Sequence, residues 1–420
     1  MMTLMMLLTA MTAWAQADSL RQTDGFVTAS LLVTSPGEGG YSSLGHCAMR
    51  MECPYYELDY CFSFEVNTGA ATTDYLAFFS GQSPAGFVAM ETPTYLQRFK
   101  DEGRGIVQYT LNLTPQQKQE LWRRLDNNMM GGFNTQFDFL YHNCTSMCLV
   151  ALQSQLAGER LVVKEWPEVM RHNAAHSCLY HTRRVPWMQF VLMTIMGTKA
   201  DEDTPKELGV APEVMGEVMS HAVIVSADGT ERPALTGQPQ QLQPQTLTAG
   251  HSWLTPRRLA LALLVLLLVL TLGQWLWGWR SLALTTDAVL LVVQAVAGAL
   301  LLYIVTVSRL FGQHWNWCLL IFSPLPLMVW LCCRRRSHST WKGRGWDVYR
   351  RLCLLYGAAM LLLAVAAPLI TAQLIAAHRL VATAIAVRSM SCALGQSLKK
   401  NITKTHIKQN YEKESFIFLS

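Results

Sequence analysis

Charge is scarce in this sequence. Only 15% of its 420 residues are Asp, Glu, Lys or Arg, against 51% that are apolar, a balance too greasy for an ordinary soluble protein. The small net charge of +5 sits in loops beside apolar runs and in the tail. It therefore reads as membrane topology and not as a nucleic-acid surface. Charge is nearly absent from the first residues: Met1 to Ala17 hold an apolar stretch from Met5 to Met11 and then Ala13-Trp14-Ala15, an Ala-x-Ala cleavage pattern. This predicts a short signal peptide, although no Lys or Arg precedes the apolar stretch. No Cys follows the cleavage site, which argues against lipid modification of the chain's own N-terminus.

What is there divides into two environments. From Asp18 to His251 polar and apolar residues mix as in a globular domain, and from Leu259 onward uncharged apolar runs dominate. Leu259 to Trp279, Ala288 to Val307, Trp317 to Cys333 with Pro324 and Pro326, and Leu352 to about Ile370 read as four spans. The loop from Arg334 to Arg351 carries seven Lys/Arg against one Asp and should be cytoplasmic. Counting back from it leaves the N-terminal domain outside, as the signal peptide also requires. A weaker segment, Leu374 to Val387, interrupted by His378 and Arg379, either crosses or lies in the interface. The implied organisation is a signal peptide (1–17), an exported domain (18–232), a Pro/Gln-rich linker (233–252), a transmembrane domain (253–390) and a disordered tail (391–420).

Within the exported domain, Phe26 to Thr34, Ala48 to Met51 and Cys61 to Val66 read as strands, with a Gly-rich loop from Ser35 to Ser43. Thr114-Pro115-Gln116-Gln117 carries a capping box that starts a helix running to about Asn127. Asn143 to Leu156 is a second helix. Trp187 to Gly197 is apolar but too short to span. Six cysteines fall in this domain, and Cys47, Cys53 and Cys61 are where an oxidising compartment would most readily make a pair.

Two stretches carry chemistry: Gly45-His46-Cys47-Ala48-Met49-Arg50 at the start of a strand, and Tyr141-His142-Asn143-Cys144-Thr145 at the start of a helix. A thiolate nucleophile needs a lowered pKa, and a helix N-terminus and a nearby imidazole are the usual means. Cys144 has the first by position, and His46 supplies the second if the fold joins them. The alternatives are a Cys144 that is packing or half a disulfide, and a structural His46. Cys148, one turn later, reads as packing. Arg50 shares a strand face with His46, to meet either a phosphate headgroup or a structural carboxylate. Asn143 and the N–H groups at Cys144 either stabilise an oxyanion or cap the helix.

At these stretches the sequence resembles the Lnb family of lipoprotein N-acyltransferases. The resemblance rests on Gly45-His46 and Asn143-Cys144-Thr145, extends through Leu58 to Phe62 and Arg104 to Thr114, and reaches His314-Trp315-Asn316. It implies an α+β fold: a circularly permuted papain-like thiol domain, akin to lecithin-retinol acyltransferase, followed by a transmembrane bundle of four or five helices. It further implies Cys144 as nucleophile, His46 as base, a membrane phospholipid as acyl donor, a diacylated lipoprotein as acceptor and no cofactor, at the bacterial inner membrane. Asp59 and Cys61 stand where the family pattern has Asn and Gly, and Asp59 suits the part of orienting carboxylate or is a plain strand-end Asp. His314 and Asn316, polar at the outer end of the third span, either line a lipid access route or anchor the interface with their Trp neighbours.

A rival constellation, His172, His176, Cys178 and His181, has zinc-like spacing, but no carboxylate supports it and no metal is expected. Asn112, Asn143 and Asn401 begin chance sequons, and no glycosylation is assigned. Two other functions use the same residues: a membrane-anchored cysteine hydrolase acting on cell wall or phospholipid, and a non-enzymatic assembly module in which Cys144 is structural.

Overall fold

The computed structural model describes residues 23, 25–38, 42–67, 77–78, 81–138, 141–171, 173–201, 211–247, 252–308, 315–336 and 344–393. The expected signal peptide, His172, His314 and the tail beyond 393 lie outside them. The chain forms two compact units, one made mainly of the first 251 residues and the other of Phe190–Thr198 with most of the chain after Ser252.

The first unit is built on seven antiparallel strands: β1 (Thr28–Thr34), β2 (His46–Cys53), β3 (Leu58–Val66), β4 (Pro84–Glu91), β5 (Ile106–Thr110), β6 (Thr135–Gln136) and, late in the chain, a strand at Gln240–Gln243. Their order across the sheet puts Gln240–Gln243 at one edge, then β5, β1, β2, β3, β4 and β6. Gln240–Gln243 lies inside the stretch whose Pro and Gln content reads as a linker. Its polarity is that of an edge strand, exposed at Gln240 and Gln241 and buried at Gln243, whose side chain donates to the Arg104 carbonyl at 2.6 Å.

Alternation assigns each strand residue a face. Leu31, Val33, Cys47, Met49, Met51, Phe62 and Phe64 pack on one side. There they meet Leu121 and Leu125 of α2 (Pro115–Met130) and Cys148 and Leu152 of α3 (Cys144–Gln153). Leu32, Ala48, Cys61 and Ile106 pack on the other, under Tyr95 and Phe99 of α1 (Thr92–Asp101). Helix α2 starts at the capping box read from the sequence, with Thr114 and Gln117 exchanging side-chain to backbone hydrogen bonds. Among the described residues no cysteine is in a disulfide. Cys47 and Cys53 end the same strand, about 20 Å apart, and Cys61 faces the opposite side, so none of the three is placed to bridge another.

A small sheet of β7 (Arg160–Val163), β8 (Ala222–Val225) and β9 (Glu231–Pro233) and helices α4 (Ala174–His181), α5 (Pro186–Ile195) and α6 (Pro212–Ser220) follow, with Gln240–Gln243 becoming β10. The residues of α5 from Phe190 belong by their contacts to the second unit.

That unit holds α7 (Pro256–Leu276), α8 (Arg280–Val307), α9 (Cys318–Ile321), α10 (Leu325–Arg336), α11 (Arg344–Ile370) and a last helix, α12, over 376–393. Three of these are long and apolar enough to cross a membrane: Pro256–Leu276, Ser281–Val307 and Asp347–Ile370. The expected third span is broken between α9 and α10, where Pro324 and Pro326 stop one helix and begin the next. The carbonyls freed there are not left bare. Gln294 donates to Ile321 O at 2.6 Å and the Tyr356 hydroxyl to Leu320 O at 2.8 Å, as a lipid-embedded break requires.

Helix α12 is held by charge as well as by its alanine face. Arg388 is bidentate to Asp287 of α8 at 2.8 Å on both arms, and its third nitrogen donates to Thr271 Oγ1 of α7 at 2.9 Å. Breaking one side of such a pair strands the other charge, at a cost of about 3–5 kcal/mol, whereas replacing both with apolar residues is near neutral. Asp287→Ala should therefore lower the melting temperature of the detergent-solubilised chain markedly. Asp287→Leu combined with Arg388→Met should recover most of the loss, as read by thermal unfolding.

Candidate active site

The two motif stretches meet where β2 begins and α3 begins. Asn143 caps α3: its side-chain oxygen accepts the N–H groups of Thr145 and Ser146, both at 2.9 Å, and its own N–H donates to Ser146 Oγ at 3.0 Å. This reciprocal cap fixes Cys144 as the first helical residue, at the positive end of the helix dipole. The cap engages the Asn143 oxygen, so the Asn143 role seen directly is the structural one of its two readings.

The Cys144 sulfur accepts a hydrogen bond from the backbone N–H of Cys47, and the Thr145 hydroxyl donates to Cys47 Sγ at 3.8 Å. Burial pushes the Cys144 thiol above its ordinary value, while the Cys47 N–H and the Thr145 hydroxyl and N–H draw it back. Cys148 and Cys47 are fully buried and pushed up by burial, as packing residues are.

Residue alternation turns the neighbouring His46 to the opposite face. Its ring lies 6.0 Å from that of Phe99, and Nε2 sits 4.0 Å from Glu65 Oε1. Nε2 is buried without a hydrogen-bond partner, and no hydrogen bond joins His46 to Cys144 among the described residues. Burial pushes the imidazole down to about 4; Glu65 opposes this, and Arg104 and Arg98 add to it. The resting histidine is therefore neutral, as a base must be. The structure thus brings Cys144 to the backbone beside His46, with the two side chains turned to different faces of the strand. Catalytic hydrogen bonds are often long before substrate binds.

Asp59 is turned elsewhere. Its carboxylate takes Arg50 Nε at 2.8 Å, Arg50 Nη2 at 2.7 Å and the Thr92 hydroxyl at 2.6 Å. Burial raises the Asp59 pKa, and these hydrogen bonds outweigh it and hold the group below its ordinary value. Arg50 also donates to Gln108 at 2.8 Å and lies 3.4 Å from Glu52, so the headgroup candidate sits in a structural ion pair. The carboxylate beside His46 is that of Glu65, which sequence reading passed over. The signal for it is register: β2 pairs with β3 through Ala48↔Ser63, and two residues further His46 comes opposite Glu65.

In the second unit Asn316 is 1% exposed. Its Nδ2 donates to Thr194 O at 3.0 Å, and its Oδ1 accepts Cys318 N–H at 2.9 Å and Gln373 Nε2 at 2.8 Å. It ties helix starts together inside the unit, and its proposed companion His314 lies outside the described residues. Of the zinc candidates, His181 is buried with Nδ1 3.1 Å from Glu213. Among the described residues no three His, Cys, Asp or Glu side chains gather as a metal set.

Compared with known families, residues 16–173 match the Lnb N-terminal periplasmic domain and residues 248–400 match the Lnb transmembrane domain. No curated protein and no solved structure matches the chain.

The buried neutral His46 has a pH consequence. Unfolded, it titrates near 6.5, and folded near 4, so between these values the unfolded state binds a proton that the folded state refuses. Its effect is absent above about pH 6.5 and destabilises progressively down to about pH 4. His46→Phe should flatten the fall in melting temperature of the solubilised chain over that window relative to wild type.

Proposed function

Because the chain belongs to the Lnb family, as a membrane protein with a periplasmic N-terminal domain, we propose that it is a lipoprotein N-acyltransferase of the bacterial inner membrane. The observation that carries this is the seat of Cys144, at the N-terminus of α3 with its sulfur on the Cys47 N–H. A thiol there gains from the helix end and from a fixed donor as charge develops. The fusion to a transmembrane domain supplies the reason for a lipid donor.

In the first half-reaction His46 takes the Cys144 proton and the sulfur attacks a phospholipid acyl carbonyl. The ester C–O bond breaks, His46 returns the proton to the departing glycerol oxygen, and a lysophospholipid leaves an acyl thioester on Cys144. In the second, the α-amino nitrogen of a diacylglyceryl-cysteine lipoprotein attacks the thioester carbonyl. The C–S bond breaks, His46 takes a proton from the amine and passes it to the sulfur, and the acyl group is held as an amide. The Cys47 and Cys144 N–H groups, both drawn to the sulfur, are the donors nearest a tetrahedral oxyanion. A thioester is more reactive toward an amine than the starting oxygen ester, which gives the covalent relay its purpose.

In cells depleted of their own N-acyltransferase, expression of this chain should yield lipoprotein N-terminal peptides heavier by one acyl chain, as weighed by mass spectrometry. Cys144→Ser should abolish the product, and His46→Ala should reduce turnover by about 10²–10⁴-fold, both with membrane insertion intact. Peptides that stay diacylated with the wild-type chain would overturn the reading. Free fatty acid in their place would point to hydrolysis.

A further inference from the structure

The site as described has a base with no orienting partner, and the residue that its sequence suggested, Asp59, is spent on Arg50 and Thr92. We propose that Glu65 is the positioning residue for His46: its carboxylate holds the imidazole by Nε2–H, so that Nδ1 is the nitrogen that exchanges a proton with Cys144. This rests on the acyl-transfer reading for the identity of the reaction, though not for the pairing itself.

Four observations carry it. The β2–β3 register, continued two residues past Ala48↔Ser63, sets His46 and Glu65 directly opposite each other on one face. The separation from Nε2 to Oε1 is 4.0 Å, a gap that a small closure turns into a charge-assisted hydrogen bond. Glu65 is held in place for this: the Ser63 hydroxyl donates to Oε1 at 2.8 Å, and Arg98 Nη1 lies 3.0 and 3.3 Å from its two oxygens. Finally, Nε2 is a buried polar atom with no partner, a costly state in a resting structure and one expected where a catalytic contact is still to be made.

The charges facing His46 explain why a carboxylate is needed. Arg98 from α1 and Arg104 just after it both disfavour the imidazolium, and Glu65 from β3 favours it. Further along this face Arg50 is paired with Asp59 and Glu52, and Glu102 with Arg104; the uncharged polar groups beside His46 are Thr34, paired with it across β1–β2, and Tyr95, whose hydroxyl lies 3.5 Å from that of Thr34. When His46 takes the Cys144 proton, Glu65 is the group that stabilises the resulting cation. Arg98, which shares the carboxylate, tempers it.

The test uses the full chain in phospholipid nanodiscs and two readouts. One is N-acylation of a diacylated lipopeptide, resolved into kcat and KM. The other is the pH dependence of Cys144 alkylation by iodoacetamide, followed by mass spectrometry of the Cys144 peptide. Glu65→Gln should lower kcat with KM little changed, and should slow Cys144 alkylation at pH 7 by about tenfold or more, because a nearby charge moves a pKa by one to three units. Glu65→Asp should restore part of both. Arg98→Gln, which frees the carboxylate, should speed alkylation, an opposite sign that loss of packing does not produce. If Glu65→Gln does not fold, Arg98→Gln decides alone, and slower or unchanged alkylation overturns the pairing. A folded Glu65→Gln with wild-type kcat and alkylation profile also overturns it. A wild-type chain that fails to acylate the lipopeptide removes the transferase reading, while the alkylation series still judges Glu65.

Discussion

The hydrogen bond from the Cys47 backbone N–H to the Cys144 sulfur, with that from the Thr145 hydroxyl to the Cys47 sulfur, fixes the relation between the two halves of the site, and much of the first unit serves to make it possible. The donor belongs to a strand held between β1 and β3, so it cannot drift. The acceptor is the first residue of a helix whose start is locked by a reciprocal Asn143–Ser146 cap and whose far side is buried through Cys148, Ala151 and Leu152. Register on one side and capping on the other determine where the sulfur lies. Neither depends on the reactive groups themselves, a common way of keeping a site rigid while its chemistry changes state.

The same strand explains why the site has two sides. Because side chains alternate, a backbone that offers its N–H to the thiol at Cys47 must turn His46 toward α1. There the imidazole is surrounded by an aromatic ring, two guanidinium groups and one carboxylate. The sheet therefore separates the nucleophile's environment from the base's. The first is apolar and fed by helix and strand N–H groups, and the second is polar and dominated by charge balance. Mutations on the α1 side are expected to act through the proton and those on the α3 side through the sulfur.

Much of this was legible from residues alone. Thr114 and Gln117 announced a helix start, Asn143-Cys144-Thr145 announced another, and the apolar runs located the helices of the second unit. What sequence could not show was direction within a strand. Asp59 and Glu65 lie on the same strand and both are carboxylates, and only register decides that the first meets Arg50 and the second His46. The Pro/Gln stretch looked like a tether because edge strands are polar, and Gln240–Gln243 pairs with β5 through its backbone, which composition does not report. Asn316 read as lining a lipid access route or anchoring the interface, and its three side-chain hydrogen bonds are to positions distant in sequence or to the adjacent helix start.

Helix α12 raises a question of manufacture. An Arg placed near the middle of a membrane segment opposes partitioning from the translocation channel by about 2.5–3.5 kcal/mol, and α12 carries Arg379 as well as Arg388. Its carboxylate partner, Asp287, and its hydroxyl partner, Thr271, are made more than a hundred residues earlier. The last helix is thus a poor substrate for independent insertion and a good one for insertion beside α7 and α8. Ordered assembly is the consequence this pairing predicts, with the early helices supplying the partners that the charge of the final one requires.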